Sequence, residues 1–310
     1  MREHRPRERE RETLTERLAY WEYRAAERAA MALPESIGRK LFSMAGAVAY
    51  RIAPGARSTV SSNLARVLGQ SAESPLVEAA SREAFGSYAR YWYDTFRIRV
   101  IPPEEFLKRH GSIGLEHIER ALEGGRGAVL ALPHLGNWDA AGHWLHVLGH
   151  SMSAVAEELR PRRVYALFLE HRRALGIGIV PLRDSRKVTE DLVRLLGANE
   201  LIALVCDRDL KNRGVEVMMF GEARRMPAGP ALLSLATGSP LLPCATFDTD
   251  DGWSVVIGPP LQIERSGDRR KDVIALTQKL SEEFERAIAA APTQWHMFQP
   301  AWPKNEASEG

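Results

Sequence analysis

Several features that would mark a secreted or membrane-spanning protein are scarce in this chain. Its 310 residues contain two cysteines, Cys206 and Cys244, and both lie in apolar runs, which favours small core side chains in a reducing compartment over a disulfide. The apolar runs fall short of the roughly 18 uncharged residues that a membrane-spanning helix needs. The charged N-terminal stretch also lacks the apolar core of a signal peptide. We therefore expect a cytoplasmic protein without a membrane-spanning segment.

The chain also lacks a large excess of charge of either sign. The net charge is +2, and the chain carries no zinc-finger, helix-turn-helix or aromatic-basic sheet signature, so nucleic acid is not an expected partner. Hydrophobic residues make up 45% of the chain, which is ample for a large buried core. The composition therefore indicates a globular protein.

The order of the predicted elements indicates the fold class. The pattern favours helices up to about residue 125, after which strands and helices alternate. The predicted strands are 128–132, 152–156, 177–182, 201–206, 215–220, 241–247 and 253–258. The predicted helices are 137–148, 162–175, 186–197, 229–237 and 270–290. This alternation predicts an α/β fold with a mainly parallel central sheet covered by helices.

An amphipathic helical layer is predicted ahead of this core. Thr13 and Glu16 form a capping-box pattern, and apolar residues then recur at helical spacing at Leu14, Leu18, Trp21 and Ala25. A second helix after Pro34 carries a stripe of Ile37, Leu41, Met44, Val48 and Ile52, with basic residues at Arg39, Lys40, Arg51 and Arg57. Taken alone, either stripe is more typical of a helix packed on a core, and contact with lipid headgroups is the alternative.

His134 and Asp139 are the first candidates for catalysis. The strand predicted at 128–132 ends at Pro133, which places His134 at the strand's C-terminal end, where reacting groups collect in open α/β sheets. A histidine there can take a proton from an alcohol if a carboxylate fixes its tautomer, and Asp139 could do so from the next helical turn. The pair would be two members of a Ser-His-Asp triad whose hydroxyl comes from a substrate, which predicts acyl transfer to an alcohol. A hydrogen-bonded loop histidine is the alternative.

A second charged cluster follows the strand predicted at 201–206. Glu216 lies between two valines, and a carboxylate in an apolar strand is costly to bury unless it has a partner, for which His134 is the candidate. The alternative is an outward-facing glutamate on an edge strand. The arginines of this region could bind substrate phosphates or pair with Asp207 and Asp209; they are Arg208, Arg213, Arg224 and Arg225. Arg208 and Arg225 are our candidates for substrate binding.

A metal site is a competing interpretation. Asp139, His143, His146 and His150 recur at steps of four, three and four, so they share one face of a helix. Such a row could hold a metal ion in a hydrolase. A solvated polar face explains it more simply, because ligands crowded on one helix usually need others from elsewhere.

Five ordered segments of the chain resemble the lysophospholipid acyltransferase superfamily. They are 133–139, 207–210, 214–221, 226–231 and 294–300. Within the superfamily they are similar to the branch of lipid A biosynthesis acyltransferases and actinobacterial phosphatidylinositol mannoside acyltransferases. The resemblance extends from about residue 20 to 302.

The resemblance implies a role for each matching residue. His134 would be the general base on a sugar hydroxyl, Asp139 its orienting acid and Glu216 a further charge partner. Glu157 and Arg172 match positions that shape the site.

The resemblance also implies substrates and a location. The donor would be a long-chain acyl-coenzyme A such as palmitoyl-coenzyme A, and the acceptor a mannosylated phosphatidylinositol. The reaction would need neither metal nor cofactor. A lipid acceptor favours a peripheral protein on the anionic cytoplasmic face of the membrane. We therefore expect one acyltransferase domain over 1–310, with a membrane-facing helical part at 12–100 and an α/β core at 101–303. A lipid A precursor or a lysophospholipid is the alternative acceptor, and an inactive lipid-binding protein is a non-enzymatic alternative.

Overall fold

A computed structural model describes residues 13–157, 161–182, 185–209 and 212–302. The helices are α1 (Leu14–Ala32), α2 (Glu35–Ile52), α3 (Pro54–Leu68), α4 (Pro75–Ile98), α5 (Pro103–Lys108), α6 (Leu115–Glu123), α7 (Trp138–Val147), α8 (Arg162–Ala174), α9 (Ser185–Gly197), α10 (Gly229–Thr237) and α11 (Arg269–Ala290). The strands are β1 (His110–Ile113), β2 (Ala128–Leu132), β3 (Met152–Glu157), β4 (Gly178–Leu182), β5 (Leu201–Val205), β6 (Val215–Met219), β7 (Glu222–Met226), β8 (Leu241–Asp248) and β9 (Trp253–Ile257).

Seven of the described strands form the central sheet. Their order is β1-β9-β8-β2-β5-β3-β4, and every neighbouring pair is parallel except β8 with β9. The predicted α/β class with a mainly parallel sheet is therefore confirmed. Strands β6 and β7 form a separate antiparallel hairpin. The pattern missed β7 because most of its residues are polar.

Helices cover both faces of the sheet. All five residues of β2 are apolar and buried. Val129 and Ala131 belong to the core cluster that includes residues of α9, α10 and α11, whereas Leu130 and Leu132 belong to the cluster that includes residues of α5, α6 and α7. Side chains on successive strand residues point to opposite faces, so an uninterrupted apolar run is what a two-sided core requires. This burial fixes β2 at the centre of the sheet.

The N-terminal helices pack mainly around α4. The capping box of α1 is formed, because the Thr13 hydroxyl accepts from the Glu16 amide and the Thr13 amide donates to the Glu16 carboxylate at 2.9 Å. Helix α2 lies so close to α4 that a Cβ on Gly46 would come within 2.5 Å of the Phe85 carbonyl oxygen. The predicted helical layer is thus present.

The apolar stripes of α1 and α2 face away from this packing. Trp21 is 54% exposed and Met44 is 66% exposed, and the other large members of the stripes are exposed as well, namely Leu14, Leu18, Ile37, Leu41, Val48 and Ile52. Core packing, which we favoured for either stripe taken alone, is therefore not observed. No helix within the described ranges is long and apolar enough to cross a membrane. The predicted domain limits at residues 1, 12, 303 and 310 lie outside the described residues.

Candidate active site

His134 lies at the C-terminal end of β2, as predicted, and its ring is bonded to Asp207. The Nδ1 atom of His134 lies 2.5 Å from Asp207 Oδ1. The other carboxylate oxygen accepts from the His134 amide at 3.0 Å and from the Trp295 indole at 2.8 Å. Asp207 comes two residues after β5, the parallel neighbour of β2, so the two strand ends bring both side chains to one sheet edge. Because the carboxylate accepts a hydrogen bond from Nδ1, the proton of the neutral ring stays on Nδ1 and Nε2 can accept a proton.

Asp207 is fully buried, yet it is ionised at neutral pH. Burial alone would raise the pKa of the Asp207 carboxyl, but the charge of His134 and the hydrogen bonds from His134 and Trp295 outweigh it. Together they lower the pKa to about 2. The carboxylate therefore fixes the imidazole tautomer and stabilises the imidazolium that forms when Nε2 takes a proton.

The predicted pairing of His134 with Asp139 is wrong. Asp139 Oδ1 accepts from Arg172 Nε at 2.9 Å, and Oδ2 accepts from the Tyr91 hydroxyl at 2.9 Å. Asn137 caps α7 by accepting from the Ala140 amide, so Asp139 already belongs to the first helical turn, and that turn directs its carboxylate to α4 and α8. The structure thus joins two predicted site residues, Asp139 and Arg172, at a place separate from the Asp207 bond.

The Asp139 carboxylate is also ionised at neutral pH. Burial raises the pKa of the Asp139 carboxyl, but the charge and hydrogen bond of Arg172, with Tyr91, hold it below its ordinary value. Burial and the neighbouring Asp139 raise the pKa of Tyr91, so the phenol stays protonated and donates. The Trp138 ring contacts Tyr91 at 4.5 Å and the His134 ring at 5.5 Å, measured between centroids. Trp138 therefore separates the two carboxylate sites.

Glu216 is not the buried partner of His134 that we expected. Its side chain is exposed on the β6–β7 hairpin, in register with Arg225. The neighbours Val217 and Met219 face the core instead, because the hairpin buries alternate residues of β6. The outward-facing edge-strand alternative is therefore correct.

Two further predicted residues meet at the sheet edge. Glu157 ends β3, and its carboxylate accepts from the Arg208 guanidinium at 3.3 Å. Both side chains are partly exposed beside the Asp207 loop. Arg225 lies on the exposed face of the hairpin and donates to the Gly214 carbonyl at 3.1 Å. Of the predicted substrate-binding arginines, Arg208 is thus the one that adjoins the His134 partner.

The segment 294–297 holds the turn that carries His134. The His296 amide donates to the His134 carbonyl at 2.7 Å, and the Gly136 amide donates to the Gln294 carbonyl at 3.0 Å. Gly136 has a φ of +55°, and a Cβ there would collide with the Thr246 carbonyl oxygen, so this position requires glycine. The turn is therefore held on both sides by main-chain contacts.

His296 is neutral although it lies beside His134. Burial, the charge of His134 and that of Arg90 lower the pKa of His296 to about 3. Its Nε2 lies 3.2 Å from the Ser87 hydroxyl. His296 therefore stays uncharged at neutral pH.

An apolar cavity lies between α7 and the sheet. Trp138, Asp139 and Arg172 line it together with a set of mostly apolar residues, Ile118, Leu130, Leu132, Ala141, Gly142, Leu145, Met152, Ile177, Cys244, Val255 and Ile257. Trp138 borders both the cavity and the His134 ring. Its mostly apolar lining with a few polar groups is typical of a small-molecule site. Cys206 and Cys244 are buried free thiols, as the apolar runs predicted.

The histidine row on α7 is divided by its surroundings. His143 is buried, and its Nδ1 lies 3.0 Å from the Leu175 carbonyl oxygen, whereas His146 is exposed. Both carboxylate oxygens of Asp139 are occupied by Arg172 and Tyr91. Across the described ranges, no group of three or more His, Cys, Asp or Glu side chains is placed to hold a metal ion.

Comparison with known proteins identifies the class of enzyme to which this chain belongs. Residues 6–304 match the family of bacterial lipid A biosynthesis acyltransferases, and the chain belongs to that family. It is 41% identical over 281 residues, 90% of each chain, to the phosphatidylinositol mannoside acyltransferase of Mycolicibacterium smegmatis. It is 40% identical to the protein of the same name from Mycobacterium tuberculosis, over 94% of this chain and 91% of the relative. The lipid A biosynthesis acyltransferase of Haemophilus influenzae is 27% identical over 68% of this chain and 64% of its own. The predicted resemblance is confirmed.

Proposed function

We propose that this acyltransferase moves a long-chain acyl group, such as palmitoyl, from acyl-coenzyme A to a mannose hydroxyl of a phosphatidylinositol mannoside. The single observation that carries the chemistry is the His134–Asp207 pair, with Nδ1 on the carboxylate and Nε2 left to accept a proton. The names of the mycobacterial relatives support the acceptor. The apolar cavity that Trp138 borders, next to the His134 ring, supports a donor with an apolar group.

The proposed reaction needs only a base and an oxyanion site from the protein. Nε2 of His134 takes the proton of the mannose hydroxyl as the oxygen attacks the thioester carbonyl carbon. The tetrahedral intermediate then breaks its C–S bond, and coenzyme A leaves as a thiolate that recovers the proton from the imidazolium. The Gly136 amide already donates to Gln294, so we assign the oxyanion to the start of α7, where the Asn137 amide and the helix dipole lie.

Arg208 and Arg225 are proposed to contact phosphate groups of the substrates. Arg208 is partly exposed beside the catalytic pair, and Glu157 holds its guanidinium in place. Arg225 is exposed on the hairpin. We expect Arg208→Ala to raise the KM for acyl-coenzyme A or for the acceptor with little change in kcat, as lost ground-state binding does.

The exposed stripes of α1 and α2 are proposed to lie in the membrane interface on the cytoplasmic face. Each fully buried apolar side chain contributes about 1.5–3 kcal/mol, and basic residues add attraction to anionic lipid. We expect Trp21→Glu with Leu41→Glu to release the protein from anionic vesicles while transfer to detergent-dispersed acceptor persists. Thr15→Glu with Ser43→Glu, on the same two helices but outside the apolar stripes, adds the same charge and is the matched control. If the stripe variant fails to fold, and its refolded protein binds vesicles as the parent does, another surface contacts the membrane.

The acyl cavity can be tested through Gly142. A Cβ at this position would lie 2.7 Å from Ile177 Cδ1 and 2.9 Å from Met152 Cε, so a larger side chain narrows the cavity. We expect Gly142→Leu to shift the preferred donor from palmitoyl to shorter acyl chains. Gly197→Ala is the control, because nothing lies within 4 Å of the added atom. An unchanged chain preference would remove the cavity from the acyl site.

The decisive experiment compares acceptors and donors directly. Purified protein is incubated with palmitoyl-coenzyme A or a palmitoyl acyl carrier protein, and with phosphatidylinositol mannosides, lysophospholipids or lipid A precursors. Mass spectrometry then identifies each product. We expect an acylated phosphatidylinositol mannoside from the coenzyme A donor, and none with His134→Ala. Acylation confined to another acceptor would replace the proposed substrate while keeping the proposed base.

A further inference from the structure

Arg224 is a buried cation beside the residue that orients His134. It belongs to β7 and is 2% exposed. Its guanidinium donates to the main-chain carbonyl of Asp207, contacts the Met219 sulfur at 3.4 Å and lies 5.1 Å from the centroid of the Trp302 ring. Among the described residues, its Nε has no hydrogen-bond partner. The charge is thus incompletely compensated by hydrogen bonds.

Packing does not account for a charge at this position. The Arg224 guanidinium contacts Met219 and Trp302, which both belong to the apolar core cluster. Burial lowers the pKa of its guanidinium, which reflects the cost of holding a cation there. An apolar side chain of similar size would fill the same space at a lower cost. Core packing therefore does not explain why position 224 carries a cation.

The partner of Arg224 supplies that explanation. Asp207 has its carbonyl oxygen fixed by Arg224 while its carboxylate accepts from His134 and Trp295. Fixing the carbonyl fixes the peptide plane, and hence the direction in which the Asp207 side chain leaves the main chain. The guanidinium and the carboxylate also attract each other, so a cation here favours the ionised form of a fully buried acid.

We propose that Arg224 is a positioning residue for acyl transfer, which keeps the Asp207 carboxylate directed at Nδ1 of His134. Arg224 donates a hydrogen bond to Asp207 and contacts the Trp302 ring. Because Asp207 is bonded to His134, Arg224 acts on the reaction through Asp207. The inference rests on the proposed role of His134 as the base.

Kinetics of Arg224→Met test this role against a matched control. Arg66 lies 5.3 Å from the same Trp302 ring and pairs with Glu222 at 2.8 Å, so Arg66→Met removes a similar contact away from Asp207. We expect Arg224→Met to keep its Tm and its KM while kcat falls about tenfold or more, and Arg66→Met to stay within about twofold of the parent. Arg224→Lys, which retains the charge, should recover part of the rate and serves if the methionine variant fails to fold. Equal losses of kcat in Arg224→Met and Arg66→Met would overturn the proposal.

A double variant isolates the route through Asp207. In an Asp207→Asn background, Arg224→Met should change kcat by less than about twofold, because the group it positions is already altered. If the double variant instead loses as much as the two single variants combined, Arg224 acts independently of Asp207 and the proposal is overturned.

A measurement without substrate separates this inference from the proposed function. The His134–Asp207 hydrogen bond should give a low-field proton NMR signal that His134→Ala removes. We expect Arg66→Met to keep the signal and Arg224→Met to broaden or lose it. A signal unchanged by Arg224→Met would overturn the positioning role. A lost signal with full activity would support the positioning of Asp207 but overturn the proposed role of the pair in the reaction.

Discussion

Two buried carboxylates lie on either side of the turn that carries His134, and they are held in different ways. Asp207, at the sheet edge, accepts from the His134 ring and the Trp295 indole. Asp139, in α7, accepts from a permanent cation and a phenol, Arg172 and Tyr91. A carboxylate paired with a histidine can respond to a proton transfer, whereas one paired with a guanidinium has its charge already balanced. Under the proposed function, the first site carries the proton transfer, whereas Asp139 and Arg172 of the second line the apolar cavity.

The largest predicted effect comes from removing the proposed base, His134. His134→Ala should lower kcat by about 10²–10⁴-fold, because a positioned general base contributes that much. The fold should persist, since the ring is partly exposed at a strand end. Transfer assays at saturating acyl-coenzyme A, with circular dichroism as the control for folding, measure both. A variant that keeps more than about a tenth of the rate would exclude His134 as the base.

Asparagine at each carboxylate should separate the two sites. Asp207→Asn should reduce kcat by about 10²-fold or more, because the imidazole loses the acceptor that fixes its tautomer. Asp139→Asn should reduce the rate less and lower the stability more, by about 3 kcal/mol, because Arg172 loses its buried counter-charge. Denaturant unfolding and kcat are measured on both variants. A reversed ranking in kcat would make Asp139 the functional partner.

Acid unfolding adds a control for the Asp207 assignment. The Asp207 pKa is lowered to about 2, so its ionisation stabilises the fold above its ordinary pKa of 3.8 and this contribution is lost as pH falls towards 2. The loss amounts to about 2 kcal/mol. In Asp207→Asn the free energy of unfolding should fall less steeply over this interval. If the pH dependence of the unfolding free energy is the same in Asp207→Asn and the parent, the ionisation of Asp207 does not contribute to the acid-induced loss of stability.

Much of this fold follows from local patterns, whereas the pairing at the site does not. Each strand and helix predicted beyond residue 125 begins and ends within one residue of its position in the structure, because apolar periodicity and turn residues are local signals. The partner of His134 depends on which strands are neighbours, and β2 meets β5 across 73 positions of sequence. One available signal was that Asp207 also follows a buried strand, since neighbouring parallel strands end at the same edge. The prediction that Glu216 pairs with His134 failed because β6 lies outside the central sheet.

A third buried carboxylate extends the comparison to a group that lacks such donors. Asp94 on α4 lies 3.8 Å from Arg39, and within the described part of the chain its Oδ2 has no hydrogen-bond partner. Burial raises its pKa to about 7, against the charge of Arg39 and with the help of Asp248. Its protonation therefore stabilises the fold below the ordinary pKa, and this contribution is lost as pH rises through about 7.

Asp94→Asn should remove this pH dependence. The neutral amide should increase stability at pH 8 by about 1–3 kcal/mol relative to the parent and have little effect near pH 4. Unfolding free energies between these limits measure the difference. Asp248, whose pKa burial raises to about 6, should leave a residual slope in the variant. A variant less stable than the parent at pH 8 would show that the Arg39 contact outweighs the cost of burying the charge.

The smallest effect is expected at the exposed carboxylate. Glu216 faces Arg225 across the hairpin, and exposed pairs of this kind contribute about 0–1 kcal/mol. Glu216→Gln should therefore keep kcat within about twofold and stability within about 0.5 kcal/mol of the parent. Glu157→Gln, which frees Arg208 at the sheet edge, is the matched comparison and should raise the KM more. A tenfold loss of kcat in Glu216→Gln alone would mean that the hairpin moves towards His134 when substrate binds, because the exposed carboxylate has no other route to the base.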